Sequence, residues 1–305
     1  MTAAPLAAVT GGTGFLGRRV VAALRRDGWR VRQLVRTPRP DAGEAVEGSL
    51  GDEVALARLV AGADVVVHMA ALTRSPDANG FRLINVGGAT RLGNAIRAQA
   101  PSARVVMVSS LAAREPDLSP FAASKAAAEL ALLEATRARS YAILRPCTLY
   151  GPGDPATLPL FRAARLPVMP VPGRPKARLS LLYVDDAAAA VVKACRSIVG
   201  DAFWEVGQGS YSWTAIARAA ARALGRDVAL MPLPGPLLKA ALALARVMTG
   251  GRVPITSVGR AEELMHEDWT CDPHRLPPAK VWEPSVNLDD GFAAAVTWYR
   301  RSRWL

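Results

Sequence analysis

Short apolar runs and helical repeats alternate along the first half of the chain. "LAAVT" (Leu6–Thr10) is an apolar run that ends at glycines. Similar runs, several of them rich in β-branched residues, recur at 29–36, 63–70, 103–110 and 140–146. Runs of this length, bounded by turn signals, predict strands buried on both faces. Between the first two, "FLGRRVVAALRRDG" carries Leu16, Val20, Val21 and Leu24 at helical spacing, with Gly28 as a stop. Further helices are predicted at 53–61, 81–99 and 120–137. This rhythm predicts an α/β fold with a parallel sheet covered by helices on both faces.

After "LYGPGDP" the texture changes, and proline and glycine become dense through "LPVMPVPGRPKAR". "LSLLYVDDAAAAVVKACRS" predicts a strand and a helix capped by Asp185 or Asp186. "AFWEVGQGSYSWTAIARAAARALGR" predicts a strand, a loop and a helix. The expected organisation is a first domain over 1–178, to which 179–206 returns, and a smaller C-terminal lobe over 207–305. In that lobe "PLPGPLLKAALALARVMTGGRVPI" is broken only by Lys239, Arg246 and Arg252. Its helical part, 236–248, is too short to span a bilayer. It reads first as a core helix, and otherwise as the cover of a greasy channel or a helix resting on a membrane. The tail "TWYRRSRWL" mixes Trp298, Tyr299 and Trp304 with Arg300, Arg301 and Arg303. That mixture suits a lipid interface or a packed terminal helix with a solvated basic face.

Composition narrows the classes further. A chain of 305 residues, 50% hydrophobic, can bury one large core or two joined ones. The net charge of +12 suits an anionic partner such as a membrane surface or an anionic cofactor. Nucleic acid is not expected, because the basic residues are spread out and no nucleic-acid motif is present. Cys147, Cys195 and Cys271 show neither metal spacing nor a disulfide framework, which fits a reducing cytoplasm. His68, His266 and His274 are scattered, so no metal site is expected, and His68 reads as a packed strand-end residue. Neither a signal peptide nor a transmembrane run is legible. A cytoplasmic protein is expected, with peripheral contact at the inner membrane as its one membrane role.

"TGGTGFLG" follows a predicted strand and opens a predicted helix, the context in which its glycine spacing carries meaning. Gly11, Gly14 and Gly17 let the backbone approach a pyrophosphate, and Thr13, Phe15 and Leu16 complete the segment. The helix N-terminus supplies N–H groups and positive dipole. The segment predicts a dinucleotide site on a Rossmann-type, doubly wound parallel sheet. An acid at the end of the second strand would take a ribose diol, but "LVRTPRP" offers Arg36 and Arg39. Guanidinium groups pair with a 2′-phosphate, so NADPH (NADP+) is expected over NADH. The alternative is a pair of solvated loop arginines.

These segments, with "VVHMAAL", "NVGGAT", "VVMVSS", "SPFAASKAAAE", "LRPCTLYGPGD" and "LLYVDDAAAAV", occur in a specific order. The chain resembles the extended branch of the short-chain dehydrogenase/reductase superfamily, the epimerase/dehydratase-like proteins, over nearly its whole length. The resemblance implies an NAD(P)-dependent oxidoreductase. It places "GSLGD" (48–52) at the adenine, with Leu50 among the contacts and Ser49 replacing an acid. Ala70 and Ala71 would line the cofactor channel, and Asn85 would be a structural residue behind the site. Ser110, and less readily Ser109, would polarise a substrate carbonyl. Lys125 would hold the nicotinamide ribose, and Pro146 would lie beside the nicotinamide. A homodimer through the helices at 81–99 and 120–137 is also implied.

One residue departs from that pattern. Where the family has its proton-donating tyrosine, this chain has Phe121, which can neither give nor take a proton. Three readings stay open: a substitution made to trap a complex, a natural enzyme with another donor, or a cofactor-binding scaffold without catalysis. The alternative donors are Tyr150, Tyr183, Thr148, Ser110 or a water held by Lys125. For the substrate, the lobe offers Arg162, Arg165, Arg174, Lys176 and Arg178 to a diphosphate, but few polar residues to a sugar. A hydrophobic, lipid-like ketone is therefore expected, with a nucleotide-sugar epimerase or dehydratase as the alternative. The overall pattern is also similar to the bacterial ceramide reductases, which implies reduction of the 3-keto group of an oxidised ceramide.

Overall fold

Seven strands assemble in parallel. The computed structural model describes residues 4–37, 43–137, 140–174, 176–196, 201–249 and 260–305. The central sheet contains β1 (Leu6–Thr10), β2 (Arg30–Val35), β3 (Glu44–Glu47), β4 (Val65–His68), β5 (Arg104–Val108), β6 (Tyr141–Pro146) and β10 (Ala202–Val206). Their order is β10-β6-β5-β4-β1-β2-β3. Winding reverses at β1, so a crevice forms between the ends of β1 and β4, the usual place for a ligand in such sheets.

Helices cover both faces, which explains the unbroken apolar strands. The first core packs Val20, Val21 and Leu24 of α1 (Phe15–Arg26) and Val191 of α7 (Val184–Arg196) against β1, β4 and β5. The second packs Leu56 of α2 (Glu53–Val60), Leu92 of α4 (Gly87–Gln99) and Leu132 of α5 (Pro120–Thr136) on the other face. Small residues bring α4 and α5 together: a Cβ on Gly93 would lie 2.6 Å from the Ala135 Cβ. The predicted helix at 81–99 is not continuous. A short α3 (Ala78–Phe81) leads into a wide π-helical turn over Arg82–Val86, and only then into α4.

Strand β3 had no counterpart among the predicted elements. "EAVE" has one buried residue, Val46, and sits at the sheet edge, where charge is tolerated. Arg30 and Arg32 of the neighbouring strand both pair with Glu44.

The smaller lobe is built from β7 (Thr148–Tyr150), β9 (Arg178–Tyr183), β11 (Gln208–Tyr211) and β13 (Asp268–Trp269) in one sheet. A second sheet pairs β8 (Val168–Pro172) with β12 (Ala229–Leu233). Residues 148–172, inside the first span by sequence, thus pair with lobe strands, whereas α7 and β10 return to the central sheet. Helices α6 (Leu158–Ala163), α8 (Trp213–Ala223) and α11 (Leu288–Arg301) close the lobe core around Phe161, Ile216, Phe292 and Tyr299. Two further helices, α9 (Gly235–Thr249) and α10 (Arg260–Met265), lie beyond β12.

Four expectations are refined here. Neither Asp185 nor Asp186 caps its helix, because α7 already starts at Val184. Asp186 is buried and accepts hydrogen bonds from Ser285 Oγ (2.6 Å) and Val286 N (2.9 Å), anchoring the approach to α11. Helix α9 is not a core helix, for Leu244 is 61% and Val247 81% exposed. The tail rings pack against the lobe core, with Trp298 and Trp304 half-buried. Tyr299 is buried and donates to the Asp154 carbonyl at 2.6 Å, and Trp304 stacks on it. The cysteines are not all isolated either. A Cβ on Gly207 would lie 2.8 Å from Cys147 Sγ and 2.5 Å from Cys271 Sγ, so two thiols distant in sequence share one glycine.

Candidate active site

The described candidate cofactor residues lie at or near the C-terminal ends of the central strands. β1 runs into a tight turn where Gly14 N donates to the Gly11 carbonyl (3.1 Å) and α1 begins at Phe15. Gly11 has φ of +76°, and a Cβ there would lie 2.6 Å from Ala70 N. A Cβ on Gly17 would lie 2.0 Å from the Gly11 carbonyl, so this glycine lets helix and loop touch. Gly14 is different. It is exposed, and a Cβ would meet only the Gly11 carbonyl, at 3.3 Å. Two glycines close the turn and one leaves its outer side open, with exposed Thr13 and half-buried Phe15 and Leu16 around it.

Neighbouring strand ends continue the cradle. Thr10 Oγ1 bonds His68 Nδ1 (2.7 Å) and accepts from Ala70 N (3.3 Å), which fixes the channel residues Ala70 and Ala71 after β4. His68 is a packed residue as expected. Burial, then the charge of Lys125, pulls it down to about 3, so it is neutral at physiological pH. After β3, Leu50 is buried against Gly88, its carbonyl accepts from Arg91 Nε at 2.8 Å, and Asp52 caps α2 through Ala55 N. Arg36 is exposed at the end of β2. Arg39 lies outside the described residues. Pro146 ends β6, half-buried, and Thr148 follows it, exposed on β7.

Ser110 and Lys125 face the same end of the sheet. Ser110 Oγ accepts from Ala112 N (3.2 Å), which leaves its own O–H to donate to a carbonyl oxygen. Ser109 Oγ is buried and has no partner among the described residues. An orphaned hydroxyl costs about 1–3 kcal/mol, a cost that a polar group bound at this sheet end would offset. The open glycine turn and this orphan both fit a nicotinamide dinucleotide.

Lys125 is buried on α5 and donates from Nζ to the Val108 carbonyl at 3.1 Å. Burial pulls its ammonium down to about 8, against a smaller opposing pull from Glu129 one turn along. Glu129 in turn accepts from Arg145 Nε (2.9 Å) and Nη2 (2.6 Å), a forked pair below the site. Glu129→Gln is expected to remove part of the support for the charged lysine. The ionisation of Lys125 then moves to lower pH, read as an acidward shift of the alkaline limb of the pH–rate profile.

The surroundings of Phe121 narrow the search for a proton donor. Its ring packs edge-on against Phe81, centroids 5.8 Å apart. Tyr150 is buried in the lobe core, points its hydroxyl at the Asn287 carbonyl (3.4 Å), and has its ionisation pushed well up by burial. Tyr183 stacks edge-on against it and is also raised by burial. Both tyrosines belong to the lobe core, whereas Ser110, Thr148 and Lys125 stand outside it.

Two supporting contacts escaped the sequence reading in part or in whole. Asn85, expected behind the site, sits in the wide turn before α4 and clamps Leu72 by both N–H (2.7 Å) and carbonyl (3.1 Å) while donating to Ser124 Oγ (2.9 Å). Glu263 of α10 was not foreseen. It accepts from Ser119 Oγ at 2.6 Å, and Ser119 caps α5 through Ala122 N. No motif connects residues so far apart in sequence. Among the described residues no cluster has metal-ligand geometry.

Comparison with known proteins agrees with this geometry. The model of the NAD dependent epimerase/dehydratase family matches residues 7–207. A ceramide reductase of Caulobacter vibrioides is 43% identical over 98% of this chain and 95% of its own. A 2-alkyl-3-oxoalkanoate reductase of Stenotrophomonas maltophilia is 31% identical over 60% of this chain and 62% of its own. Among solved structures, the Thermus thermophilus UDP-glucose 4-epimerase complex with NAD has the same fold, with a TM-score of 0.69. It is 24% identical over 97% of this chain and 99% of its own. The glycine turn on a reversed parallel sheet, the Ser–Lys end of that sheet and the match over most of the chain lead to one conclusion: the chain belongs to the NAD-dependent epimerase/dehydratase family, the extended short-chain dehydrogenase/reductases.

Proposed function

We propose that the protein is an NADPH-dependent reductase of a hydrophobic, lipid-like ketone, the 3-keto group of an oxidised ceramide being the best fit. The observation that carries this reading is the near full-length 43% identity to the Caulobacter ceramide reductase. The site supports it in its own terms. A bound nicotinamide would supply the hydride. Ser110 would donate its O–H to the ketone oxygen, and Lys125 Nζ would provide the proton to that oxygen through a water. Phe121 would form an apolar wall with Phe81 where a tyrosine would otherwise stand.

The lobe supports a lipid over a nucleotide-sugar. Arg174 pairs with Glu267 at 2.7 Å, and Arg162 donates to the Trp304 carbonyl at 3.2 Å, so two of the five candidate diphosphate ligands already have protein partners. Retention of both Ser110 and Lys125 argues against a scaffold without catalysis. The direct test is NADPH consumption with a long-chain 3-oxo amide in detergent. Oxidation with the lipid and none with UDP-glucose supports the reading. Conversion of UDP-glucose without net NADPH loss replaces it with the epimerase reading.

Cofactor choice is tested separately. Arg36, exposed just after β2, would pair with the 2′-phosphate in this reading. Arg36→Ser is expected to weaken NADPH about tenfold, the loss of one charge-assisted contact of ~1.4 kcal/mol, and to leave NADH unchanged. Fluorescence titration reads both constants, and tighter NADH than NADPH binding by the unmodified protein contradicts the assignment.

A further inference from the structure

We propose that α9 docks the protein flat on an anionic phospholipid bilayer, beside the cleft that leads to the active-site helix. The helix begins at Gly235 and runs 15 residues to Thr249, about 22 Å at 1.5 Å per residue. That is short of the roughly 30 Å hydrocarbon core, and no described helix is long and apolar enough to cross a membrane. Its described side chains are nonetheless exposed and greasy. Leu237 is 60%, Leu244 61%, Val247 81% and Met248 78% exposed. Leu237, Leu244 and Met248 are spaced by seven and four, which puts them on one stripe with Val247 at its flank. Met231, on the strand leading into the helix, is 47% exposed as well. Such patches on a protein surface mark contact sites.

Charge around the helix selects the occupant. Lys239 is exposed on α9 but lies on the face opposite the stripe, where it lines the cleft. Lys176 and Arg178 are exposed just beyond β8, which pairs with β12. Gly173 N donates to the Leu233 carbonyl (2.8 Å), so this basic turn sits against the start of α9. The acids nearby are Glu262, Glu267 and Asp268, of which Glu267 pairs with Arg174. With a net charge of +12 on the chain, a greasy stripe with a basic turn at the start of its helix fits an interface of acyl chains and anionic headgroups.

The position links docking to the site. A cleft of about 500 Å³ is lined by Leu118, Arg174, Lys239, Met265 and His266 among others. Leu118 precedes Ser119, the cap of α5, which donates to Glu263 of α10. A lipid leaving the bilayer along α9 would thus reach the start of the helix that carries Lys125. In this last respect the proposal rests on the lipid-ketone reading.

The test is co-flotation of the full chain with vesicles of phosphatidylcholine, with and without phosphatidylglycerol, for the unmodified protein and for Leu244→Asp with Val247→Asp. Expected is flotation on the phosphatidylglycerol vesicles, reduced about tenfold or more in the double variant, with NADPH affinity and circular dichroism unchanged. No flotation of the unmodified protein, or equal flotation of the variant, overturns the proposal. Equal flotation on pure phosphatidylcholine overturns its anionic component. A dimer that the double variant dissolves, without vesicle binding, assigns the stripe to a second copy instead. Turnover separates the two readings. A protein that floats but reduces no ketone keeps the docking surface and loses the lipid-ketone function. A protein that reduces a detergent-dispersed ketone but never floats does the reverse.

Discussion

Lys125→Met is expected to lower kcat for ketone reduction by about 10²–10⁴, the usual contribution of a positioned proton donor. The loss should exceed the tens-fold effect of a residue that only orients a bound cofactor. Tyr150 and Tyr183 belong to the lobe core, so the proposed donor is Lys125 through a water. Lys125 is a buried ammonium with an ionisation near 8, suited to exchange protons at neutral pH. Methionine keeps the volume and the α5 backbone but removes the charge. The same substitution makes a second, opposite prediction for stability. The folded pKa of about 8 lies below the ordinary 10.5, so the unfolded chain holds more protons between those values. Stability of the cofactor-free protein should therefore rise with pH across that window, by up to about 3 kcal/mol. In Lys125→Met that rise should vanish and stability at neutral pH should increase. Denaturant titrations of both proteins across pH read it directly. A kcat within a few-fold of the unmodified enzyme contradicts the role given to the lysine.

Gly11→Val is expected to abolish cofactor binding. The residue has φ of +76°, where a β-branched side chain is strained, and its first carbon would lie 2.6 Å from Ala70 N and 2.7 Å from the Met69 carbonyl carbon. Both are backbone atoms at the end of β4, so neither can rotate away. Relief requires β1 and β4 to part at the crevice where the dinucleotide would sit. A loss of affinity by 10²-fold or more is about 3 kcal/mol, a modest share of such a clash. Gly14→Ala is the useful contrast. A Cβ there has only the Gly11 carbonyl within reach, at 3.3 Å, so the free protein should fold normally. Any loss of affinity in that variant then comes from the ligand side of the turn. Calorimetric titration with NADPH and thermal melting of the free proteins separate the two effects.

The legible parts of this molecule were those where chemistry is local in sequence. The glycine turn could be read because each glycine answers a backbone constraint within a few residues, and Gly11 and Gly17 meet those constraints in the structure. The buried strands could be read because helices on both faces remove the polar alternation. Asn85 and Lys125 followed from family resemblance; Asn85 holds the Leu72 backbone, and Lys125 donates to the Val108 carbonyl. What stayed hidden depends on contacts across long sequence separations. β3 is an edge strand whose charged residues are paired by its neighbour, so its own composition resembles a loop. Asp186 looked like a helix cap, but its partners lie about a hundred residues away at Ser285 and Val286. Glu263 reaches the cap of α5 from the far end of the lobe. Helix α9 was misread because apolar composition alone suggests burial, and nothing local shows that the lobe closes without it.

The account turns on Lys125 acting as the proton source in an enzyme that has phenylalanine where relatives would use tyrosine. The most direct measurement is the rate of NADPH oxidation with a 3-oxo ceramide from neutral to alkaline pH, for the unmodified protein and for Phe121→Tyr. The account predicts a measurable rate in the unmodified protein that falls through a single ionisation near 8. The tyrosine variant should lose that simple profile as a second donor competes. No NADPH oxidation by the unmodified protein at any pH, with activity appearing only in Phe121→Tyr, would contradict it.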